Sequence, residues 1–322
     1  MFQIFYTDEQ ENCLKTLNTE NLDSSFDGKG KWINMTNPTD KEIEFVCNTL
    51  KVPEEMIKAA LDDEEMARTD REDGWFLTLF DIPTLEEDDN YYSYTTIPLG
   101  VMYSSNTIIT VCLKRTMLLN DFATGRVKDF NTRYKTRFLI QLLYRAATKY
   151  LQYLRQIDKA SQRIQAELQK TMKNDDLVQL LDLENSLVYF STSLQSNNVV
   201  IEKLARVEAK NFYEEDLDLW EDVGIEHRQA MEMCKIYQGI IKASTEAFAN
   251  IINNNLNTSM KKLTILTVIL SIPTLIYSMW GMNTPVPWQN EPMGFWILVA
   301  ISIIISIIAG ILLFKDKKFK KW

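Results

Sequence analysis

The chain has 322 residues, of which 46% are hydrophobic and 25% charged, with a formal net charge of −9. That acidity argues against a nucleic acid partner, whose phosphates would repel it, and suits a cationic one. Four scattered cysteines (Cys13, Cys47, Cys112, Cys234) without a CxxC pair, and a single histidine, His227, argue against a disulfide framework or a structural zinc site.

The N-terminus, MFQIFYTDEQENC, lacks a basic stretch followed by an apolar one, so a cleaved signal peptide is not expected. FQIFYT, WINMT, WFLTLFDIP, YYSYTTIPLGVMYS and TIITVCLK read as strands, being rich in β-branched and aromatic residues. Between them Asp40–Thr49 and Pro53–Leu61 read as helices, with Asp40 and Pro53 suited to helix starts. From about Thr132 the strand signals stop. Thr132–Lys170 and Asp175–Arg206 carry apolar residues at helical spacing, and the intervening MKNDD suits a turn, so the two form an antiparallel pair. A third helical run begins near Leu217 and meets no proline until Pro273. Read as one helix to Trp280, it has about 60 residues and a length of roughly 90 Å.

Charge is divided sharply along the chain. Residues 263 to 314 contain one charged residue, Glu291. The segment from Lys261 to the end is +5, so the remaining 260 residues carry −14. Within the apolar stretch, LTILTVILSIPTLIYSMW (263–280) and GFWILVAISIIISIIAGILLF (294–314) are each long enough to cross a hydrocarbon core of roughly 30 Å. Lys261 and Lys262 precede the first span, and Lys315, Lys317, Lys318, Lys320 and Lys321 follow the second, while the connecting loop has no Lys or Arg. Basic residues favour the cytoplasmic side, so both termini are expected inside a cell membrane. Tyr277, Trp280, Trp288, Phe295 and Trp296 then fall at the outer interface, where amphipathic rings prefer to lie.

The expected organisation is a multi-domain membrane protein, mainly α. It comprises a cytoplasmic α/β (α+β) domain over 1–131, a helical hairpin over 132–216 and a stalk helix over 217–262. A first span over 263–280, an outer loop over 281–293, a second span over 294–314 and a basic tail over 315–322 complete it.

The third helical run carries a periodic polar face. Asn250, Asn253, Asn257, Met260, Thr264, Thr267, Ser271, Thr274 and Ser278 alternate spacings of three and four, the seam of a left-handed helical bundle. Such a seam is ordinarily apolar. Ser and Thr also serve to pack helices together, but nine positions in register favour a face that avoids lipid. One helix cannot enclose a channel, so the stripe implies a symmetric oligomer of this chain around it. Met260 and Leu263, at the inner end, suit an apolar constriction. On the second span Ser302, Ser306 and Gly310 are four apart, a face for close helix contact.

The first span ends in Gly281-Met282-Asn283. Here the chain resembles the CorA family of divalent cation transporters, whose hallmark is a Gly-Met-Asn tripeptide at the outer end of the first of two C-terminal spans. Family members often have Tyr before the tripeptide, where this chain has Trp280. The segment LDDEEMARTDRED (61–73) also looks like the family's acidic N-terminal region. The resemblance implies a homopentamer whose stalk helix continues into the pore-lining span, with Gly281, Met282 and Asn283 as the selectivity filter. It implies Mg2+ both as substrate and as a regulatory ligand bound between subunits, with Co2+ and Ni2+ as further substrates. Matching by distance from the tripeptide puts a regulatory residue at Asp222, its partner expected among Glu86, Glu87, Asp88 and Asp89. Only Glu291 is available in the outer loop to attract cations. Two alternatives stand beside this reading: zinc transport within the same family, and a non-conducting membrane scaffold or sensor. With no phosphate-binding loop, no catalytic triad and no histidine cluster, neither an enzyme nor an organic cofactor is expected.

Overall fold

A computed structural model describes residues 1–8, 10, 13–17, 26–88, 91–105, 107–207, 212–283, 286–287 and 293–315. The chain divides into two compact units, Met1–Thr245 and Glu246–Trp322.

The first unit is built on a seven-stranded sheet. Its strands are β1 (Phe2–Thr7), β2 (Leu14–Leu17), β3 (Lys31–Thr36), β4 (Arg68–Glu72), β5 (Trp75–Asp88), β6 (Tyr91–Tyr103) and β7 (Ile108–Cys112), in the order β2-β1-β3-β7-β6-β5-β4. Only β3 and β7 run parallel, Trp32 opposite Ile108. A parallel pair needs a crossover, and two helices with β4 to β6 supply it. Five of the seven strands match runs legible in the sequence. The other two, LKTL in β2 and RTDRE in β4, are short, polar and at the two edges. Edge strands tolerate charge and avoid apolar length because an exposed edge invites unwanted pairing. That is why β-propensity does not reveal them.

Helices cover both faces of the sheet. On one side α1 (Asp40–Leu50) and α2 (Glu54–Ala59) bury Ile43, Val46, Met56 and Ile57 against Ile33, Met35, Leu77, Leu79, Ile109 and Val111. The start of α1 is a capping box in which Glu42 accepts from the Thr39 backbone N–H at 2.7 Å. On the other side Trp32, Phe80, Leu99, Val101 and Ile108 meet a short helix α3 (Met117–Ala123) and two long ones, α4 (Lys135–Thr171) and α5 (Asn174–Val207). Alternate residues of β7 enter the two cores, which is why IITVC is apolar almost throughout. The hairpin turn between α4 and α5 places Met172 in the left-handed region at φ 49°, and the acidic Asp175 and Asp176 open α5, where the helix dipole favours them.

Side-chain polar bonds fix α5 to the sheet and to the next helix. The described β4 pairing ends at Arg68 opposite Leu79. Two residues further on, the Asn197 amide takes over the role of a strand. Its Oδ1 accepts from the Asp81 N–H at 2.8 Å and its Nδ2 donates to the Asp81 carbonyl at 2.7 Å. Tyr150 donates to the same carbonyl at 3.1 Å. Burial beneath this network raises the Asp81 carboxyl above its usual range. The longest helix, α6 (Glu214–Trp280), has 67 residues and contains Pro273. Near its start the buried Asp216 accepts from Arg137 of α4 at 3.0 Å. One heptad apart on α6, His227 bonds to the Leu194 carbonyl at 2.9 Å and Cys234 donates to the Leu187 carbonyl at 3.4 Å, two α5 acceptors that are also seven apart. Burial pushes the Cys234 thiol up to about 12, so it stays protonated and able to donate.

Burial lowers the His227 imidazole below its usual value of 6.5, so it is neutral in the folded protein and Nε2–H donates to Leu194. In the unfolded chain it takes up a proton at higher pH than in the fold. Its contribution to stability is therefore complete above about pH 6.5 and is lost as pH falls through the lower folded value. Thermal melts are expected to show a midpoint that drops between about pH 7.5 and 5.5. His227→Asn, which donates without titrating, is expected to remove that part of the slope.

Candidate ion-conducting face

In the second unit the end of α6 packs against α7 (Gly294–Lys315). Both have stretches long and apolar enough to cross a membrane. Ile265 is buried, and Ile269 lies so close to Gly310 that a Cβ there would stand 3.1 Å from Ile269 Cδ1. Higher up, the Tyr277 hydroxyl and Ser302 Oγ are 2.9 Å apart. Ser302 donates to the Val299 carbonyl and Ser306 to the Ser302 carbonyl, so Tyr277 is left as the donor to Ser302. The small residues Ser302, Ser306 and Gly310 thus let α7 approach α6 closely.

Ile265, Ile269, Pro273 and Tyr277 are four apart and share one side of α6. At about 100° per residue, Thr264, Thr267, Ser271, Thr274 and Ser278 fall on the opposite side, roughly 180° away. All five are exposed, and Thr267, Ser271, Thr274 and Ser278 line one open groove with Leu270 and Leu275. Asn250, Asn253, Asn257 and Met260 continue the exposed face toward the inner end, with Leu263 on its flank. The hydroxyls do not dangle. Thr264, Thr267, Ser271 and Thr274 each donate to the backbone carbonyl four residues earlier. Such bonds satisfy the hydroxyl hydrogen inside an apolar segment.

The Gly281 N–H makes the last helical bond, to the Tyr277 carbonyl at 2.9 Å. The chain then turns out of the helix, and Gly281, Met282 and Asn283 are exposed at its end. A Cβ on Gly281 would lie 3.3 Å from the Tyr277 carbonyl oxygen, tight for any larger residue. Trp280 reaches across this turn and donates to the Pro287 carbonyl at 3.2 Å. Glu291 lies outside the described residues.

The acidic candidates are distributed otherwise. Asp222 is exposed on α6. Glu86 is exposed on β5 and pairs with Lys114. Glu87 and Asp88 end β5 opposite Tyr92 and Tyr91, and Asp89 lies outside the described residues. Among the described residues no group of three or more His, Cys, Asp or Glu is placed to hold a metal ion. Among its described residues one copy of the chain therefore assembles the polar face and the tripeptide but no acidic metal cage. The Arg137–Asp216, His227–Leu194 and Tyr277–Ser302 contacts join residues far apart in sequence, and no local pattern marks them.

Comparison with known proteins places the chain. The family of CorA-like Mg2+ transporter proteins matches residues 27–318. The chain belongs to the CorA family. The cobalt/magnesium transport protein CorA of Methanocaldococcus jannaschii is 25% identical over 287 residues, covering 86% of this chain and 87% of that protein. The complete structure of the CorA magnesium transporter from the same organism matches 98% of each chain with a TM-score of 0.77 at 21% identity. The full-length CmaX protein matches with a TM-score of 0.68 at 15% identity, covering 97% of this chain and 96% of that one. The family is one of membrane transporters of divalent cations rather than enzymes, and this chain carries its two apolar C-terminal helices.

The two faces of α6 predict different chemistry. In a background with the four native cysteines replaced, Thr267→Cys and Ser271→Cys are expected to react with a charged, membrane-impermeant thiol reagent on the order of tenfold faster than Ile265→Cys, because the thiolate forms only where water reaches it. Equal rates would mean that the polar face is not wet.

Proposed function

We propose that the chain forms an oligomeric channel, a pentamer by analogy with the family resemblance, that conducts hydrated Mg2+ along the polar face of α6. The observation that carries this reading is the separation of faces. The second helix covers the side of α6 opposite the hydroxyls, so the polar side is left for other copies of the same chain and for water. Hydrocarbon is a poor neighbour for it, and a ring of copies about an axis is the symmetric solution.

Mg2+ is small and hard, prefers oxygen and releases its waters reluctantly. Neutral oxygens from Asn283 and the Gly281 carbonyl suit a filter that holds the ion through its water shell, with Met282 beside them. A carboxylate ring would hold the ion more strongly, and conduction needs sites weak enough to leave. Thr274, Ser271, Thr267 and Thr264 then pass the hydrated ion inward, toward Met260 and Leu263. These two are 61% and 58% exposed in the single chain and would meet their copies as an apolar constriction that closes by dewetting. Asn257, Asn253 and Asn250 receive the ion beyond it. Glu291 serves at the outer mouth as the acidic residue of the loop. The membrane is the cell membrane, with both termini on the cytoplasmic side.

For gating, we infer that cytoplasmic Mg2+ bridges Asp222 of one subunit to the 86–89 acidic segment of a neighbour. A bridging cation offsets the repulsion of facing carboxylates, and its loss lets the subunits part. The absence of a cage among the described residues of one chain is compatible with a site divided between chains.

Uptake into proteoliposomes tests the channel. Asn283→Ala is expected to lower Mg2+ flux by roughly tenfold or more through loss of the filter oxygens; undiminished flux would remove Asn283 from the filter. Zn2+ flux without Mg2+ flux would move the protein to zinc transport, and no flux of either to a scaffold. Asp222→Lys is expected to keep conducting at high internal Mg2+ where the wild type closes. Normal closure in that variant would rule Asp222 out as a sensor.

A further inference from the structure

We propose that the hydroxyl ladder of the first span selects the sign of the ion that passes, because its hydrogens are already committed to the helix. This rests on the reading that the polar face of α6 lines a pore. A hydroxyl has one hydrogen to donate and two lone pairs to accept with. Thr264 donates to the Met260 carbonyl at 2.9 Å, Thr267 to Leu263 at 2.9 Å, Ser271 to Thr267 at 2.5 Å and Thr274 to Leu270 at 3.1 Å. What each hydroxyl then presents away from the helix is lone pairs alone. Over four successive positions the face offers acceptors and no donors.

The water shell of an ion has a matching polarity. Around a cation the oxygens turn inward and the hydrogens outward, so the shell donates to whatever surrounds it. Around an anion each water spends one hydrogen on the ion and presents its lone pairs and its other hydrogen outward, so the shell needs donors as well as acceptors around it. An acceptor-only wall therefore fits a hydrated cation better than a hydrated anion without any fixed charge. The composition requires some such device, since residues 263 to 314 hold one charged side chain, Glu291, which follows the span. To bond the outward lone pairs of an anion's shell, a hydroxyl would have to give up its bond to the helix in an apolar segment where no replacement exists. The carboxamides of Asn250, Asn253, Asn257 and Asn283 carry both donors and acceptors and can turn either end to an ion. They hold water shells of both signs, so discrimination of sign lies between Thr264 and Thr274.

The test uses the full-length protein in planar bilayers under a MgCl2 gradient, with Mg2+ uptake measured in parallel. Thr267→Asn puts rotatable N–H donors into the ladder and is expected to shift the reversal potential toward that of chloride. Thr267→Val removes the lone pairs and is expected to lower Mg2+ uptake by about tenfold. Thr258→Val removes a hydroxyl on the far side of α6 and is expected to leave uptake unchanged. A reversal potential in Thr267→Asn that stays at the wild-type value overturns the proposal. So does wild-type uptake in Thr267→Val, or an equal loss in Thr258→Val. Asn283→Ala separates the two readings. If it reduces uptake while the Thr267 variants do not change, the pore stands and the ladder falls. If neither changes uptake, the pore reading fails and this inference falls with it.

Discussion

Hydrocarbon offers no hydrogen bonds, and α6 carries a row of hydroxyls and carboxamides down one side. That constraint orders the rest of the second unit. Back-bonding of Thr264, Thr267, Ser271 and Thr274 to their own helix satisfies the hydroxyl hydrogens but leaves the oxygens polar. The second apolar helix does not relieve this, since it packs on the other side through Ile269 and Tyr277. Ser302, Ser306 and Gly310 allow it to do so at short range. The polar face is thus left uncovered by the chain's own second span, which is the condition the proposed conduit for hydrated ions needs.

The same helix is tied down at its other end by a different kind of bond. Arg137–Asp216, His227–Leu194 and Cys234–Leu187 hold it to α4 and α5. Asn197, Ser186 and Ser193 of α5 in turn bond to residues of β5 and β6. Apart from Arg137 Nε, which is buried without a partner, these groups are buried, or largely so, and paired, and an unpaired partner would cost more than the bond itself contributes. The first unit therefore grips α6 through a few polar contacts set in apolar surroundings, where geometry is most tightly specified.

Family membership and the physics of the face meet at the tripeptide. Gly281 stands where the helix runs out and a side chain would crowd the Tyr277 carbonyl. Met282 and Asn283 follow it into the open, beside the Trp280–Pro287 contact. The match to CorA-like proteins over residues 27–318 includes this turn and both spans. It also includes five strands of the sheet, β3 to β7, although the strands carry no comparable motif.

How much of this was legible depended on whether the signal was local. The long helices, the two apolar spans, five strands and the polar periodicity from Asn250 to Ser278 can be read from the sequence, because a helix face repeats within a few residues. The edge strands β2 and β4 cannot, since an edge is polar by necessity and looks like loop. Nor can α3, seven residues between two loops. The site divides in the same way. By itself the sequence determined that one side of a membrane helix is polar and that it ends in Gly-Met-Asn. Only the tertiary structure decided that α7 lies on the opposite side and that Tyr277 bonds Ser302. It also decided that His227 meets a carbonyl 33 residues away. The reason is physical: periodicity records which side of an element is unlike the others, whereas the partner of that side is chosen by packing between elements distant in the chain.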